Sequence, residues 1–461
     1  MVRNKMKIVY LLVVLMVSVF ANSASSIEYK SDKWEDLEAV EELKMLISVE
    51  NSDVRVKNIS EYKKMKEFLK ARNSKIDIAY IHKSYKDLDG DDIDCIDMYH
   101  QPSLKIKGME DHVIQLQHPI VFESDGSEYD PDNNNDSEEG LEKLTKNALS
   151  NSQCDLGSVP IKRIKIKHLA RFGTIDEFYN KKLRHQPKKA NVYKNTIEAP
   201  SVVGPTNAHQ YAVITKSTDN FGINSIISAF SPNVEKESEF SLSQIWAMSG
   251  SRVGNDFQTV EAGLQSFKQK YGDDYARIFI YYTTDNYNPI GNGGCYNLDC
   301  SGFVQVDNSI AIGSRLSVYS QVNGAQYGLQ MALVREHTKG NWWLQISGKW
   351  IGYWPNNLFN SSGLKDKATR VDAGGEIYHT STSRHTMTDM GSGRFATEGW
   401  TKAAYHRIIQ YIDTSNQYNH MTSPIVSETD KNCYDIKFTA SSGNWKSYFY
   451  MGGTGYNENC Q

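Results

Sequence analysis

No run of about 18 apolar residues occurs in this 461-residue chain, so no segment has the length of a membrane-spanning helix. An excess of positive charge is also missing. The 51 Lys+Arg stand against 55 Asp+Glu, and the net charge of −4 argues against a nucleic-acid partner. Familiar catalytic signatures are absent: there is no H-E-x-x-H, no G-x-S-x-G elbow and no G-x-x-x-x-G-K-[ST] phosphate loop. Ser392 in Met390–Arg394 (MGSGR) has glycines as immediate neighbours, which fits a tight turn rather than a nucleophile elbow. The 12 histidines show no ligand spacing, and the six cysteines include no C-x-x-C pair of the kind zinc sites use. No metal and no cofactor are expected.

What is present is unevenly distributed. Residues 1–200 hold 64 charged residues and 15 aromatics, whereas residues 201–461 hold 42 and 36, with seven of the eight tryptophans. Two halves of unlike composition imply two jobs, and the length suits two or three domains of about 150 residues each. Arg3, Lys5 and Lys7 precede the apolar run Ile8–Phe20, and small residues follow from Ala21 to Ser26. That pattern predicts a signal peptide at 1–24 and a secreted, extracellular protein with no membrane attachment after cleavage. Secretion permits disulfides. Six cysteines leave many connectivities open, and pairing by proximity (Cys95–Cys154, Cys295–Cys300, Cys433–Cys460) keeps each half internally complete. Sequons at Asn58, Asn135 and Asn360 are candidate glycosylation sites.

The charged half reads as a smaller α+β domain over 25–178. Leu37, Val40, Leu43 and Leu46 recur at helical spacing within Lys33–Val49, and Ser60–Asn73 repeats the pattern more weakly. Asp87–Cys95 (DLDGDDIDC) has a misplaced glycine and no closing glutamate, so it reads as a solvated acidic turn and not a calcium loop. The stretch 179–200 is basic and lacks apolar periodicity, as expected of a linker and processing region. From 201 to 461, short Val-, Ile-, Tyr- and Trp-rich segments alternate with Gly, Asn, Asp and Ser clusters. They include Gln210–Thr215, Phe240–Met248, Ala276–Thr283 and Arg394–Trp400. Gln330–Glu336 and Asn341–Gly348 read as a hairpin, whereas Thr401–Tyr411 fits a helix or a strand. The expected fold is mainly β: an antiparallel β-sandwich of jelly-roll type.

Carboxylates are the remaining chemistry in that half. It holds only nine glutamates, most of them in polar company such as Glu235, Glu237 and Glu239. Glu261 in Val260-Glu-Ala-Gly263 and Glu376 in Gly374-Gly-Glu376 instead have small or apolar neighbours. An acid on an inward-facing strand position costs free energy unless it is paired or functional.

These residues carry a resemblance. Asp94-Cys-Ile-Asp-Met-Tyr-His-Gln-Pro102, Gly157-Ser-Val-Pro-Ile-Lys-Arg163, Phe240-Ser-Leu-Ser-Gln-Ile-Trp246 and Gly294-Cys-Tyr-Asn-Leu-Asp-Cys-Ser-Gly-Phe303 follow in order. With Val260-Glu-Ala-Gly263, Gly340-Asn-Trp-Trp-Leu-Gln345, Ile351-Gly-Tyr-Trp-Pro355 and Gly374-Gly-Glu376, they resemble the plant neprosin family from about Asp91 onward. The resemblance implies a secreted glutamic peptidase made as a zymogen, with an N-terminal activation peptide and Glu261 and Glu376 as the catalytic pair. It also implies a protein or peptide substrate, proline-rich in the family's preference, and the chain's own pro-domain as inhibitor. The apoplast or cell wall is the expected location, with the vacuole as the alternative. Gln244, Tyr281 and Tyr282 are candidate cleft residues. Leu264 and Ala373 stand where tryptophans are usual, and Tyr281-Tyr282 where a Tyr-Trp pair is usual, which would relax, shift or weaken cleavage after proline.

Two rival readings share these residues. A concave sandwich with two acids also suits a glycoside hydrolase, with Trp342, Trp343, Trp350 and Trp354 stacking on sugar rings. A non-catalytic relative binding a cell-wall or peptide ligand is the other.

Overall fold

The computed structural model of the chain describes residues 34–50, 53–105, 109, 111–122, 143–144, 152–179, 181, 209–254, 256–288, 293–380 and 384–461. The expected signal peptide, the Asn135 sequon and most of the 179–200 linker lie outside them. Both expected N-terminal helices form, as α1 (Trp34–Glu50) and α2 (Ile59–Asn73). The Asn58 side chain caps α2 by accepting the Ser60 N–H, and Lys70 and Arg72 lie in its last turn. An accepting cap satisfies an orphan N–H, and cations complement the negative helix end. Buried Leu43 of α1 and Ile59, Tyr62 and Met65 of α2 form an apolar stripe. An antiparallel sheet of Ile81–Lys86, Asp92–Asp97 and Ser158–Lys162 joins this N-terminal unit. Two short helices, α3 (Ile166–Ala170) and α4 (Ile175–Tyr179), complete it.

The rest is a β-sandwich. One sheet contains β1 (His209–Asn220), β2 (Phe240–Ser249), β3 (Gln258–Ser266), β4 (Arg277–Thr283), β5 (Gly294–Tyr296), β6 (Ala368–Tyr378) and β7 (Ile425–Glu428). Its seven strands run in the order β5-β4-β3-β2-β6-β1-β7. A ten-stranded sheet packs on one face of it. Alternate residues build the shared core, with Ile245, Ala262, Leu264 and Ile280 meeting Leu333, Trp342, Leu344 and Trp354. The expected hairpin is present, with Arg335 opposite Trp342. Thr401–Tyr411 resolves as the strand Ala404–Ile412, whereas Arg394–Trp400 holds a single 3-10 turn, Ala396–Glu398, instead of a strand. Glycines 391, 393 and 399 all adopt positive φ there, which breaks the extended run. Trp342, Trp343 and Trp354 are fully buried, so they form core rather than a sugar-stacking platform. The disulfides are Cys95–Cys154, Cys295–Cys300 and Cys433–Cys460.

The N-terminal unit covers the other face of the seven-stranded sheet. Its Leu43, Met65, Phe172 and Phe178 share one apolar cluster with Leu242, Trp246, Phe279 and Tyr281 of the sandwich. The Asp87–Cys95 turn corrects the sequence expectation, because it is not solvated. The Asp89 side chain is 4 % exposed and lies 2.8 Å from both Arg277 and Arg315 of the sandwich. Arg277 is itself buried, so the acids of this turn neutralise a cation that would otherwise lack compensation. Among the described residues, no helix is long and apolar enough to cross a membrane.

Candidate active site

Strand register brings together the two glutamates that composition had set apart. Strands β3 and β6 flank β2. Across β2, Glu261 is opposite Trp246 and Glu376 is opposite Leu242. Gln244 lies between those rows, facing Gly263 on one side and Gly374 on the other. A Cβ at Gly263 would stand 2.6 Å from the Gln244 Cβ, and one at Gly374 would stand 2.2 Å from the Ala212 carbonyl oxygen. Glycine at 263 lets β3 close on the glutamine, and glycine at 374 lets β6 close on β1.

Glu261 and Glu376 are buried on the face covered by the N-terminal unit. Between them sits Lys181, which follows α4. Its Nζ is 2.7 Å from Glu261 Oε2 and 2.7 Å from Glu376 Oε2. The lysine is itself buried, with its ammonium 5.7 Å from the Trp246 ring centroid. Its backbone N–H donates to Tyr281 Oη at 3.3 Å. Two buried carboxylates this close cannot both ionise cheaply, and one ammonium shared by both removes the conflict.

The two acids have different further partners. Glu261 Oε1 accepts from Tyr287 Oη at 2.5 Å and from Thr259 Oγ1 at 2.8 Å. Glu376 Oε1 lies 2.6 Å from His209 Nδ1 and accepts from Tyr211 Oη at 3.2 Å. Glu376 Oε2 accepts from Gln244 Nε2 at 3.2 Å. Burial alone would raise the Glu376 carboxyl, but Lys181 and His209 outweigh it and hold the group at about 2. Burial works against the Lys181 charge, yet Glu261 and Glu376 overcome it and raise its pKa. Burial, reinforced by the Glu261 charge, pushes the Tyr287 hydroxyl well above its ordinary value and keeps it a donor.

Two family models match the chain in sequence order. The neprosin activation peptide matches residues 84–215 and neprosin matches residues 237–454. The chain belongs to the neprosin family. A neprosin domain behind its own activation peptide is the organisation of a peptidase zymogen. The activation-peptide match runs past the expected linker into β1. Solved structures to which the chain is similar include scytalido-glutamic peptidase bound to a peptide-based transition state analog. That match has a TM-score of 0.28 and 10% identity, covering 54% of this chain and 98% of the other. SCP-B, a member of the Eqolisin family of peptidases in complex with the tripeptide Ala-Ile-His, has a TM-score of 0.25 at 11% identity, covering 54% and 98%. CG-16, a homodimeric agglutinin from chicken liver, has a TM-score of 0.20 at 6% identity, covering 37% and 96%.

In this neprosin-family protein, the side-chain directions revise three expectations. Tyr281 lies opposite Glu261 and points to the cleft, but its neighbour Tyr282 points into the sandwich core and donates to the Ser301 carbonyl. Leu264 and Ala373 are also core residues. Each lies an odd number of positions from its glutamate, so it faces the opposite side of the sheet. A missing tryptophan at 264 or 373 therefore removes nothing from the cleft. Aromatic area beside the acids comes from Trp246, Tyr281 and Tyr287 instead. Lys181, His209, Tyr211 and Tyr287 were not singled out from sequence. Among the described residues, the one grouping of metal-type donors is His385 with Cys433 and Cys460, whose sulfurs are joined in a disulfide.

Proposed function

We propose that this chain is the zymogen of a secreted glutamic endopeptidase that works at acid pH, with Glu261 and Glu376 acting as a pair on water. The observation that carries the reading is the single ammonium of Lys181 held between the two buried carboxylates. An inhibitory lysine there occupies the space where a water and a scissile carbonyl would meet the acids. Once the N-terminal unit leaves, the pair shares one proton at mildly acid pH. The ionised acid takes a proton from water as its oxygen attacks the carbonyl carbon. The protonated acid stabilises the developing oxyanion and then protonates the leaving amine. No covalent intermediate is needed. The Gln244 Oε1 is buried with no hydrogen-bond partner in the precursor, which leaves it for the attacking water or a substrate N–H.

Trp246, Tyr281 and Tyr287 offer flat apolar faces beside the dyad, and on these we rest cleavage after proline. Full-length protein, activated and then incubated with a proline-rich protein at pH 3 and pH 7, tests the reading. Mass-spectrometric mapping should find fragments at pH 3 with proline before the cut. Cleavage only at pH 7 would contradict it, and cuts without proline enrichment would remove the specificity alone.

Acid also governs release. Glu376 is held at about 2 by Lys181 and by His209, and only the Lys181 part is lost on release, so that part of docking is present while Glu376 is ionised and fades as pH falls from the usual carboxylate range toward about 2. Asp91 contributes less: burial opposes its ionisation, and the Lys162 and His168 that bring it below 3.8 belong to its own unit, leaving Arg277 as the partner lost on release. Asp89 has the opposite sign, because burial raises it and its protonation favours the docked form. Latency should therefore hold at pH 5 and fail between about pH 4.5 and 2. Peptide cleavage by intact precursor across that range measures it; latency lost already at pH 6 would disagree.

A further inference from the structure

We infer that His209 is a positioning residue that holds Glu376 as the ionised, water-activating member of the pair and leaves Glu261 to carry the shared proton. This deepens the glutamic-peptidase reading and rests on it. The inference starts from what remains around each acid when Lys181 departs. Glu376 keeps three donors, His209 Nδ1 at 2.6 Å, Tyr211 Oη at 3.2 Å and Gln244 Nε2 at 3.2 Å, spread over both its oxygens. Glu261 keeps two neutral hydroxyls, Tyr287 at 2.5 Å and Thr259 at 2.8 Å, both on Oε1. Among the described residues, Lys181 alone donates to its Oε2. Several donors spread over both oxygens favour a carboxylate, whereas an oxygen relieved of its cation is free to bear a proton.

The histidine is built into the site. It opens β1 directly opposite Tyr378 on β6, and its side chain is 5 % exposed. The Tyr378 ring centroid lies 5.0 Å away, that of Phe240 6.0 Å and that of Tyr211 6.2 Å. These rings fix the imidazole edge against Glu376. Among the described residues, the other titratable groups around the pair are Lys181 in the precursor, Tyr211 on the same strand, Tyr281 on β4, Tyr287, Tyr296 on β5, and Tyr378 and His379 at the end of β6. Among them, only His209 keeps a nitrogen on Glu376 after the lysine has left.

The test compares pH profiles of activated full-length protein carrying His209→Gln or His209→Lys with the unaltered protein. A glutamine can still donate to Glu376 but carries no charge, so the acid limb of kcat/KM should move up by about one pH unit. Lysine should return most of that shift, a rescue that a purely structural role would not show. An acid limb in His209→Gln that superimposes on the unaltered protein overturns the inference. A second measurement needs no cleavage: carboxyl carbon resonances of Glu261 and Glu376, each assigned with its Gln variant, are titrated in the activated protein. Glu376 should ionise at the lower pH, and the reverse order overturns the inference even if the histidine variant fails to fold. Acid-phase cleavage that survives Glu376→Gln would instead bring down the glutamic-peptidase reading, whatever the histidine does.

Discussion

Lys181→Met turns the precursor on at pH 5. Removing one partner from a buried ion pair costs about 3–5 kcal/mol, because the charge left behind has neither water nor a counter-ion. Here two carboxylates lose the same cation at once, and docking of the N-terminal unit should weaken by about 100- to 4,000-fold. Cleavage of a fluorogenic peptide by uncleaved Lys181→Met precursor at pH 5 should rise accordingly over that of the unaltered precursor. The pH response also weakens: with Lys181 present, Glu376 is held down at about 2 and acid undoes docking, and without the lysine that acid sensitivity is lost. A Lys181→Met precursor as silent as the unaltered one would place latency in the apolar face that Leu43, Met65, Phe172 and Phe178 cover.

Much of this site was legible from the sequence, for reasons of scarcity. Only nine glutamates follow residue 200, so two with small apolar neighbours stood out, and strand register then placed them on either side of β2. The period-two rule also held the information that Leu264 could not face the same way as Glu261. Their separation of three positions decides it, and the assumed gap in the cleft at 264 overlooked that parity. Tyr281 against Tyr282 was a different problem. Only the pairing of Glu261 with Tyr281 selects the cleft-facing member, and pairing across strands is not a local property.

Lys181 was hidden for a physical reason. It sits in a run with Lys182, Arg184, Lys188 and Lys189, which reads as a solvated, cleavable linker. Its contacts with Glu261, Glu376, Trp246 and Tyr281 are all with residues 65 positions away or more, so nothing in its sequence neighbourhood reports its burial. His209 is similar, because one histidine at a strand end is ordinary until Glu376 is placed against it. Asp89 shows the same limit from the opposite direction: five acids near one glycine look solvated until a buried arginine meets them.

The central claim is that Glu261 and Glu376 work as one catalytic unit, and its expected effect is the largest. General acid–base catalysis by a positioned group contributes on the order of 100- to 10,000-fold, and a unit that shares one proton loses its function when either member loses its carboxyl. Each Glu→Gln change preserves shape and hydrogen bonding while removing the titrating group. KM should change little, since the apolar face that binds the peptide is intact. The double variant should be no slower than the singles, because each single change already disables the pair. The direct measurement is kcat/KM at pH 4 for Glu261→Gln, Glu376→Gln and the double variant, each made full length and activated by limited trypsin cleavage in the basic stretch 182–194, so that activation does not depend on the activity under test. All three should fall together by about 1,000-fold or more with unchanged folding; either single variant retaining near-full acid-phase cleavage would contradict the account.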